Sequence, residues 1–190
     1  MLFDFLSNWT QAIGLLAFGL ASGAAFRASS AIRRRAQPLA SRWRWIGMVQ
    51  LVFFFEIVIG TRHMAHDFVN LSLQTAGIYH DRAWIQEVLL MGVALCSLFV
   101  VVQLWRWLSH DGARDMPEKI AVVCTAFTLL IFSVETISLH GIDRLLYRPV
   151  GPVLFVACLW GAAAVGVFLP ALWAARRANR LILVASRSPG

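Results

Sequence analysis

The chain has 190 residues, of which 59% are hydrophobic and only 14% are charged, and its mean hydropathy is +0.68. A soluble domain carries roughly 25% charged residues, and the surface of a chain this small leaves too little interior to hide so many apolar side chains. The composition therefore excludes an ordinary soluble domain and predicts an integral membrane protein.

Five apolar segments are long enough to cross about 30 Å of hydrocarbon, which takes about 20 helical residues. The segment before the first one, MLFDFLSNW, lacks the basic start of a cleaved signal peptide, so we expect the first segment to remain as a span. We therefore predict a single all-α domain over residues 1–190, a bundle of about five transmembrane helices. The predicted spans are 9–26, 45–63, 84–105, 118–139 and 150–174.

The first span contains GLASG, which places Gly19 and Gly23 at the spacing that lets two helix backbones approach closely. Packing inside the bundle is one use of this pattern. Self-association through the first span is another, and other membrane subunits are a further class of partner.

The basic residues predict the orientation of the chain. Thirteen of the seventeen fall on one side of the predicted spans, which the positive-inside rule assigns to the cytoplasm. The N-terminus is then outside and the C-terminus cytoplasmic, as an odd number of spans requires. The run Arg33, Arg34 and Arg35 is expected to contact anionic lipid headgroups rather than nucleic acid. With 16 Arg and one Lys, the composition also indicates a GC-rich bacterial genome, and hence a multi-pass protein of the cell inner membrane.

An acid interrupts the second apolar segment, in FFFEIVIGTRHMAHDF. At 100° per residue, Glu56, His63 and Asp67 share one stripe of a helix, provided that the helix continues through Asp67. Arg62 and His66 lie on the flanks of this stripe. A polar stripe within a span is expected to face a protein interior or a wet cavity, because a charge that faces lipid costs about 3 kcal/mol even on insertion scales.

The fourth span has a similar pattern in VETISLHGIDRLLYRP, and it runs in the same direction as the second span. The start of the third span adds polar residues at the same side of the membrane. The candidate site at the extracytoplasmic ends of spans two to four therefore also includes Glu135, His140, Asp143 and Arg144, with His80 and Glu87 from the third span.

Two uses of this cluster compete most closely. In the first, the acids pair with Arg62, Arg144 or histidines in a structural interhelical network, and the protein is a non-catalytic membrane subunit or assembly factor. In the second, the cluster binds a transition-metal ion, since imidazole with carboxylate suits zinc, iron or copper, and the protein is a redox or transport component. The predicted ligands are Glu56, His63, Asp67, Glu135, His140 and Asp143, with His66, His80, Glu87, Arg62 and Arg144 around them.

Two further uses remain open. Haem b would take His63 and His140 as axial ligands from two helices, but it leaves Glu56 and Glu135 without a role. Proton or ion transfer through buried acids is the other use. The cytoplasmic halves of spans two and four offer only Gln50, Thr125 and Thr128 for such a path, so a half-channel that opens outward fits better. No residue pattern names a substrate, and whether the protein is an enzyme stays open.

Overall fold

The computed structural model describes residues 9–33, 36–60, 64, 68, 71–72, 75, 82–110, 116–137 and 140–187. The protein is built from helices, as predicted, with one minimal hairpin. The elements are α1 (Trp9–Ile32), α2 (Gln37–Ile59), α3 (Arg82–His110), α4 (Met116–Ile137), α5 (His140–Leu146), β1 (Pro149–Val150), β2 (Val153–Leu154) and α6 (Phe155–Arg187).

Four helices form the core: α1, α2, α4 and α6. Helix α1 packs along both α2 and α6, and α4 packs against α6. The buried face of α1 consists largely of Gly, Ala and Ser, which allows a close approach between helices. Two α1 hydroxyls bond across to α2: Ser22 donates to the Gly47 carbonyl at 3.0 Å, and Ser29 donates to the Ala40 carbonyl at 2.7 Å.

The predicted GxxxG pair divides between two environments. A Cβ at Gly19 would lie 3.5 Å from the Phe54 ring of α2, so this position serves packing within the bundle. Gly23 is exposed, and a Cβ there would meet nothing within 4 Å. Self-association through α1 stays a prediction.

A layer of four aromatic rings lies in the core, towards the end at which α4 finishes and α6 begins. Each core helix contributes one ring, and all four side chains are buried. The Phe53 and Phe132 rings stack with their centroids 4.9 Å apart, and the Phe132 and Trp160 rings stack at 5.5 Å. Phe18 packs against the other three at tilted angles, with its centroid 5.4 Å from that of Phe53.

The two ends of the bundle differ in character. At one end, the Thr10 hydroxyl of α1 accepts a hydrogen bond from the Leu154 N–H of the hairpin at 3.1 Å. We call this the hairpin end, because residues 149–154 lie there. At the other end, the chain turns from α1 into α2. Helix α4 and the C-terminal half of α3 lie close to Arg42 there. We call it the arginine-rich end.

Helix α3 lies outside this core. It contacts α4, and none of its residues from Glu87 to Arg106 is buried. The polar residues of spans two, three and four predict that these helices are neighbours. Helix α3 packs against α4 from outside the core, and residues of α2, α3 and α4 line one cleft. The outward faces of α3 are apolar and include Leu95, Leu98 and Phe99, each about 60% exposed or more.

Two helix boundaries differ from those of the predicted spans. Helix α2 ends at Ile59 rather than at residue 63, because Gly60 takes the left-handed conformation (φ 69°, ψ 36°) that ends a helix. The last long helix begins at Phe155 rather than at residue 150. Pro149 lies in β1 and Pro152 in the turn between the strands, so the two prolines belong to the hairpin and do not open the helix.

In the part of the chain that the structure describes, four helices are long and apolar enough to cross a membrane. These segments are Trp9–Ile32, Glu87–Arg106, Met116–Thr136 and Phe155–Arg180. Helix α2 has a similar length of 23 residues, but it carries Arg42, Arg44 and Glu56 and does not belong to this set.

Candidate functional site

The buried carboxylate of Glu135 is the centre of the candidate site. Glu135 lies in the last turns of α4, with only 6% of its surface exposed. The Tyr147 hydroxyl donates a hydrogen bond to Glu135 Oε1, with 3.3 Å between the two oxygens. Sequence reasoning selected Glu135 but not Tyr147, because their pairing depends on how the chain turns back after α4.

That turn places the short helix α5 at the hairpin end. Tyr147 follows α5 directly, and its hydroxyl contacts Glu135. Helix α5, residues 140–146, therefore lies in the segment that joins these two contacting residues. His140 and Asp143 are three residues apart on this helix, and such positions share one helical face. Their backbones are described, but their side chains lie outside the described part of the structure.

A cavity of about 690 Å³ opens beside this turn. Its walls include two cations four residues apart, and the hydroxyl that reaches Glu135 lies between them in the chain. The described residues that line it are Arg144, Leu145, Tyr147, Arg148 and Pro149. Both arginines are exposed, so their charges face the open side of this end of the bundle.

The predicted stripe joined Glu56 to His63 and Asp67. It required one continuous helix, whereas α2 ends one turn after Glu56 at the left-handed Gly60. Glu56 is half-buried, and its carbonyl accepts the Gly60 N–H at 2.7 Å. The other predicted residues between the second and third spans lie outside the described residues: Arg62, His63, His66, Asp67 and His80.

Two of the remaining predicted residues lie on the surface. Glu87 is exposed on α3, and Arg33 is exposed in the turn that follows α1, while Arg34 and Arg35 lie outside the described residues. Among the residues that the structure describes, no three His, Cys, Asp or Glu side chains are grouped closely enough to hold a metal ion. Of the predicted ligands, Glu56 and Glu135 are the two whose side chains are described.

A second polar cluster, which the sequence analysis did not select, lies at the arginine-rich end. Arg42 Nη1 of α2 donates to Glu118 Oε1 of α4 at 3.0 Å. The Glu118 side chain is 2% exposed, and that of Arg42 is 52% exposed. The neighbouring Lys119 is also buried, with 4% of its surface exposed. The pair joins residues 76 positions apart, so no local pattern reveals it.

The buried face of α4 connects these two clusters. It carries polar residues at both ends and in its first half, where Gln50 of α2 donates to Thr125 at 3.1 Å. The aromatic layer follows at Phe132, before Glu135. Residues of this face recur at the three- and four-residue spacing that is typical of the buried side of a helix. They are Glu118, Ala121, Thr125, Thr128, Phe132 and Glu135. This spacing was legible in the sequence and would have identified Glu118 as an inward-facing residue.

Fold and site together define a helical bundle with a buried carboxylate at one end and a buried ion pair at the other. No family model matches this chain, and searches of curated proteins and of solved structures find no match.

Proposed function

We propose that the chain is an integral protein of a bacterial inner membrane and that the hairpin end binds a transition-metal ion at the extracytoplasmic face. In this proposal all five long helices cross the bilayer. The N-terminus is outside and the C-terminus is cytoplasmic, which makes the arginine-rich end the cytoplasmic one.

The packing of α2 supports five spans rather than four. Helix α2 bonds to α1 at Gly47 and Ala40, and to α4 at Gln50, so it lies alongside helices that are apolar enough to span. Its charges are confined to its two ends, and long arginine side chains near helix ends reach the headgroup region. A fifth helix in this position crosses with its neighbours.

Glu135 is the observation that carries the proposed site. A carboxylate that is 6% exposed near the end of an apolar helix is costly unless it is paired or binds a cation. The return of Tyr147 to Glu135 brings α5, with His140 and Asp143, to the same end of the bundle. Carboxylate with imidazole is a ligand set for zinc, iron or copper.

The arginines of the neighbouring cavity limit this ligand set. The positive charges of Arg144 and Arg148 would repel a metal ion at Glu135, so a single carboxylate would bind a divalent cation weakly there. The metal proposal therefore needs at least a second anionic ligand, and Asp143 on α5 is the nearest candidate in the chain.

The peripheral helix α3 favours a second function, that of a non-catalytic subunit. Its large apolar side chains are exposed along its length, and such a surface suits lipid or a partner's transmembrane helix. In this alternative, Glu135 and Tyr147 belong to a structural network that fixes the turn after α4.

Metal analysis and a visible spectrum of the detergent-purified protein test the proposal. We expect a bound transition metal that is lost in His140→Ala and weakened in Glu135→Gln, and a haem would show its own absorption bands. The matched control is Glu118→Gln, a buried acid at the opposite end of the same helix, which should keep the metal. If no metal co-purifies and a chelator leaves the melting temperature unchanged, the metal proposal is wrong and the subunit alternative stands.

A further inference from the structure

A cleft between α2, α3 and α4 opens at the arginine-rich end. Its volume is about 560 Å³, which lies within the range of small-molecule sites, about 300–1,000 Å³. It is distinct from the hairpin end, where the proposed metal site lies. The lining residues are Arg42, Trp45, Ile46, Phe99, Val100, Gln103, Leu104, Glu118 and Val122.

The walls of the cleft are apolar and its end is polar. Helix α3 supplies Phe99, Val100 and Leu104 as one wall, and Ile46 and Val122 face them from α2 and α4. The Arg42–Glu118 ion pair lies at the polar end, where Gln103 is exposed on α3. The cleft therefore has the two-part character of an amphiphile: a long apolar portion next to a charged portion.

The arginine-rich end, at which the cleft opens, carries more basic than acidic side chains among the described residues. Glu118 is the acid that lines the cleft, and Arg42, which pairs with it, keeps 52% of its side chain exposed. Arg44 and Arg106 are exposed near Trp45 and Gln103 in the chain. A guanidinium presents its N–H donors in a planar fork that suits phosphate oxygens. The exposed indole of Trp45 is a side chain typical of the headgroup level.

From this arrangement we infer that the cleft binds one anionic phospholipid of the cytoplasmic leaflet. The headgroup phosphate lies at Arg42, and an acyl chain lies along the apolar walls towards Phe99. The inference rests on the membrane placement proposed above, which makes this end cytoplasmic. A transmembrane helix is about 10 Å wide with its side chains and spans the bilayer, so a cleft of this volume suits an acyl chain better than a second copy of α3.

Thermal melts of the delipidated protein in detergent test the inference. Phosphatidylglycerol and phosphatidylcholine with identical acyl chains are titrated separately, and inorganic phosphate is a third arm. We expect phosphatidylglycerol to raise the melting temperature in a saturable manner, and the other two to raise it little. Native mass spectrometry of the same samples should show one retained phosphatidylglycerol per chain.

Two variants test the cleft itself. Gln103→Glu adds a negative charge on the exposed face of α3, so it should weaken phosphatidylglycerol binding about fivefold, as expected for one charge near an anionic headgroup. The double variant Arg42→Gln/Glu118→Gln removes the cation without leaving the buried acid charged, and it should weaken binding at least as much. Ser109→Glu is the matched control, because it adds the same charge to the same helix at an exposed residue that does not line the cleft.

Each contrary result overturns the inference. Equal stabilisation by phosphatidylcholine would remove the headgroup selectivity, and equal stabilisation by inorganic phosphate would identify a free anion as the ligand. If Ser109→Glu weakened binding as much as Gln103→Glu, the effect would be general surface charge. Failure of the membrane proposal gives a different readout: the protein would be released from membranes by alkaline carbonate, before any lipid is added.

Discussion

Gln50 of α2 donates a hydrogen bond from Nε2 to the Thr125 hydroxyl of α4, with 3.1 Å between the two atoms. Both side chains are buried, and the Thr125 hydroxyl in turn donates to the Ala121 carbonyl at 2.8 Å. The Gln50 Oε1 atom is buried and accepts no hydrogen bond from the described residues. The backbones of α2 and α4 approach each other over only a short stretch, and this bond and the Arg42–Glu118 pair are two polar links between the helices.

The first prediction follows from this asymmetric bond. Thr125→Val keeps the side-chain shape but leaves the Gln50 amide without its acceptor, so it should lower the free energy of unfolding by about 1–3 kcal/mol. Gln50→Leu removes the buried amide altogether and should cost less, because interhelical hydrogen bonds within membranes average about 0.6 kcal/mol. The double variant should regain most of the Thr125→Val loss. Denaturant unfolding in detergent measures all three, and simple additivity of the two single effects would contradict the prediction.

The second prediction concerns the ion pair between Arg42 and Glu118. Arg42→Gln should destabilise the protein more than Glu118→Gln. The first change weakens the charge compensation of a carboxylate that is 2% exposed, whereas the second leaves an arginine that is half-exposed and solvated by water. We expect a loss on the order of 1–3 kcal/mol for Arg42→Gln, below the 3–5 kcal/mol typical of fully buried pairs. The check is to compare the melting temperatures of the two variants, each measured at the same two pH values. If the two variants melt at the same temperature, the burial of Glu118 has no energetic consequence.

The third prediction uses the contact between α4 and α6. A Cβ at Gly166 of α6 would collide with the Cys124 Sγ of α4, so Gly166→Ala should force the two helices apart and lower the melting temperature. Cys124→Ala removes the sulfur and should restore stability in the double variant. Gly161→Ala is the matched control on the same helix: its Cβ would meet nothing within 4 Å, and alanine favours a helix by about 1 kcal/mol over glycine. A Gly166→Ala protein as stable as the control would show that the helices are not in close contact there.

The fourth prediction concerns orientation. In a variant whose three native cysteines are replaced by alanine, Pro152→Cys in the exposed hairpin turn should react with a membrane-impermeant thiol reagent in intact cells. Gln37→Cys, exposed at the start of α2, should react only after the membrane is opened. The physical reason is the excess of basic residues at the arginine-rich end, since the positive-inside rule assigns such an end to the cytoplasm. The opposite labelling pattern would reverse the proposed orientation and place the Glu135 site inside the cell.

The sequence allowed the helical class and the approximate positions of the long helices to be predicted, because long apolar runs depend on local composition alone. It also identified Glu135, which stands out as an acid within an apolar run. The hairpin at Pro149–Leu154 was missed, because prolines such as Pro149 and Pro152 fit a helix start as well as a turn.

The relationships between helices were not predictable in the same way. The peripheral position of α3 and the Arg42–Glu118 pair depend on which faces meet, and hydropathy does not encode that choice when most faces are apolar. Tyr147 was missed for a related reason. Its hydroxyl reaches Glu135 only through the turn at α5, whose geometry depends on residues distant in the chain, such as Thr10 at the hairpin.

The aromatic layer has an electrical consequence for a protein that spans a membrane. The four stacked and tilted rings of Phe18, Phe53, Phe132 and Trp160 form a buried apolar layer across the core. In a membrane, the potential would fall across the apolar length of the core, where it would be worth about 2.3 kcal/mol per elementary charge at 100 mV. In the proposed orientation, a charged ligand that reaches Glu135 from outside binds near the end of α4 and crosses little of that voltage. Its affinity should therefore be the same in energised and de-energised vesicles.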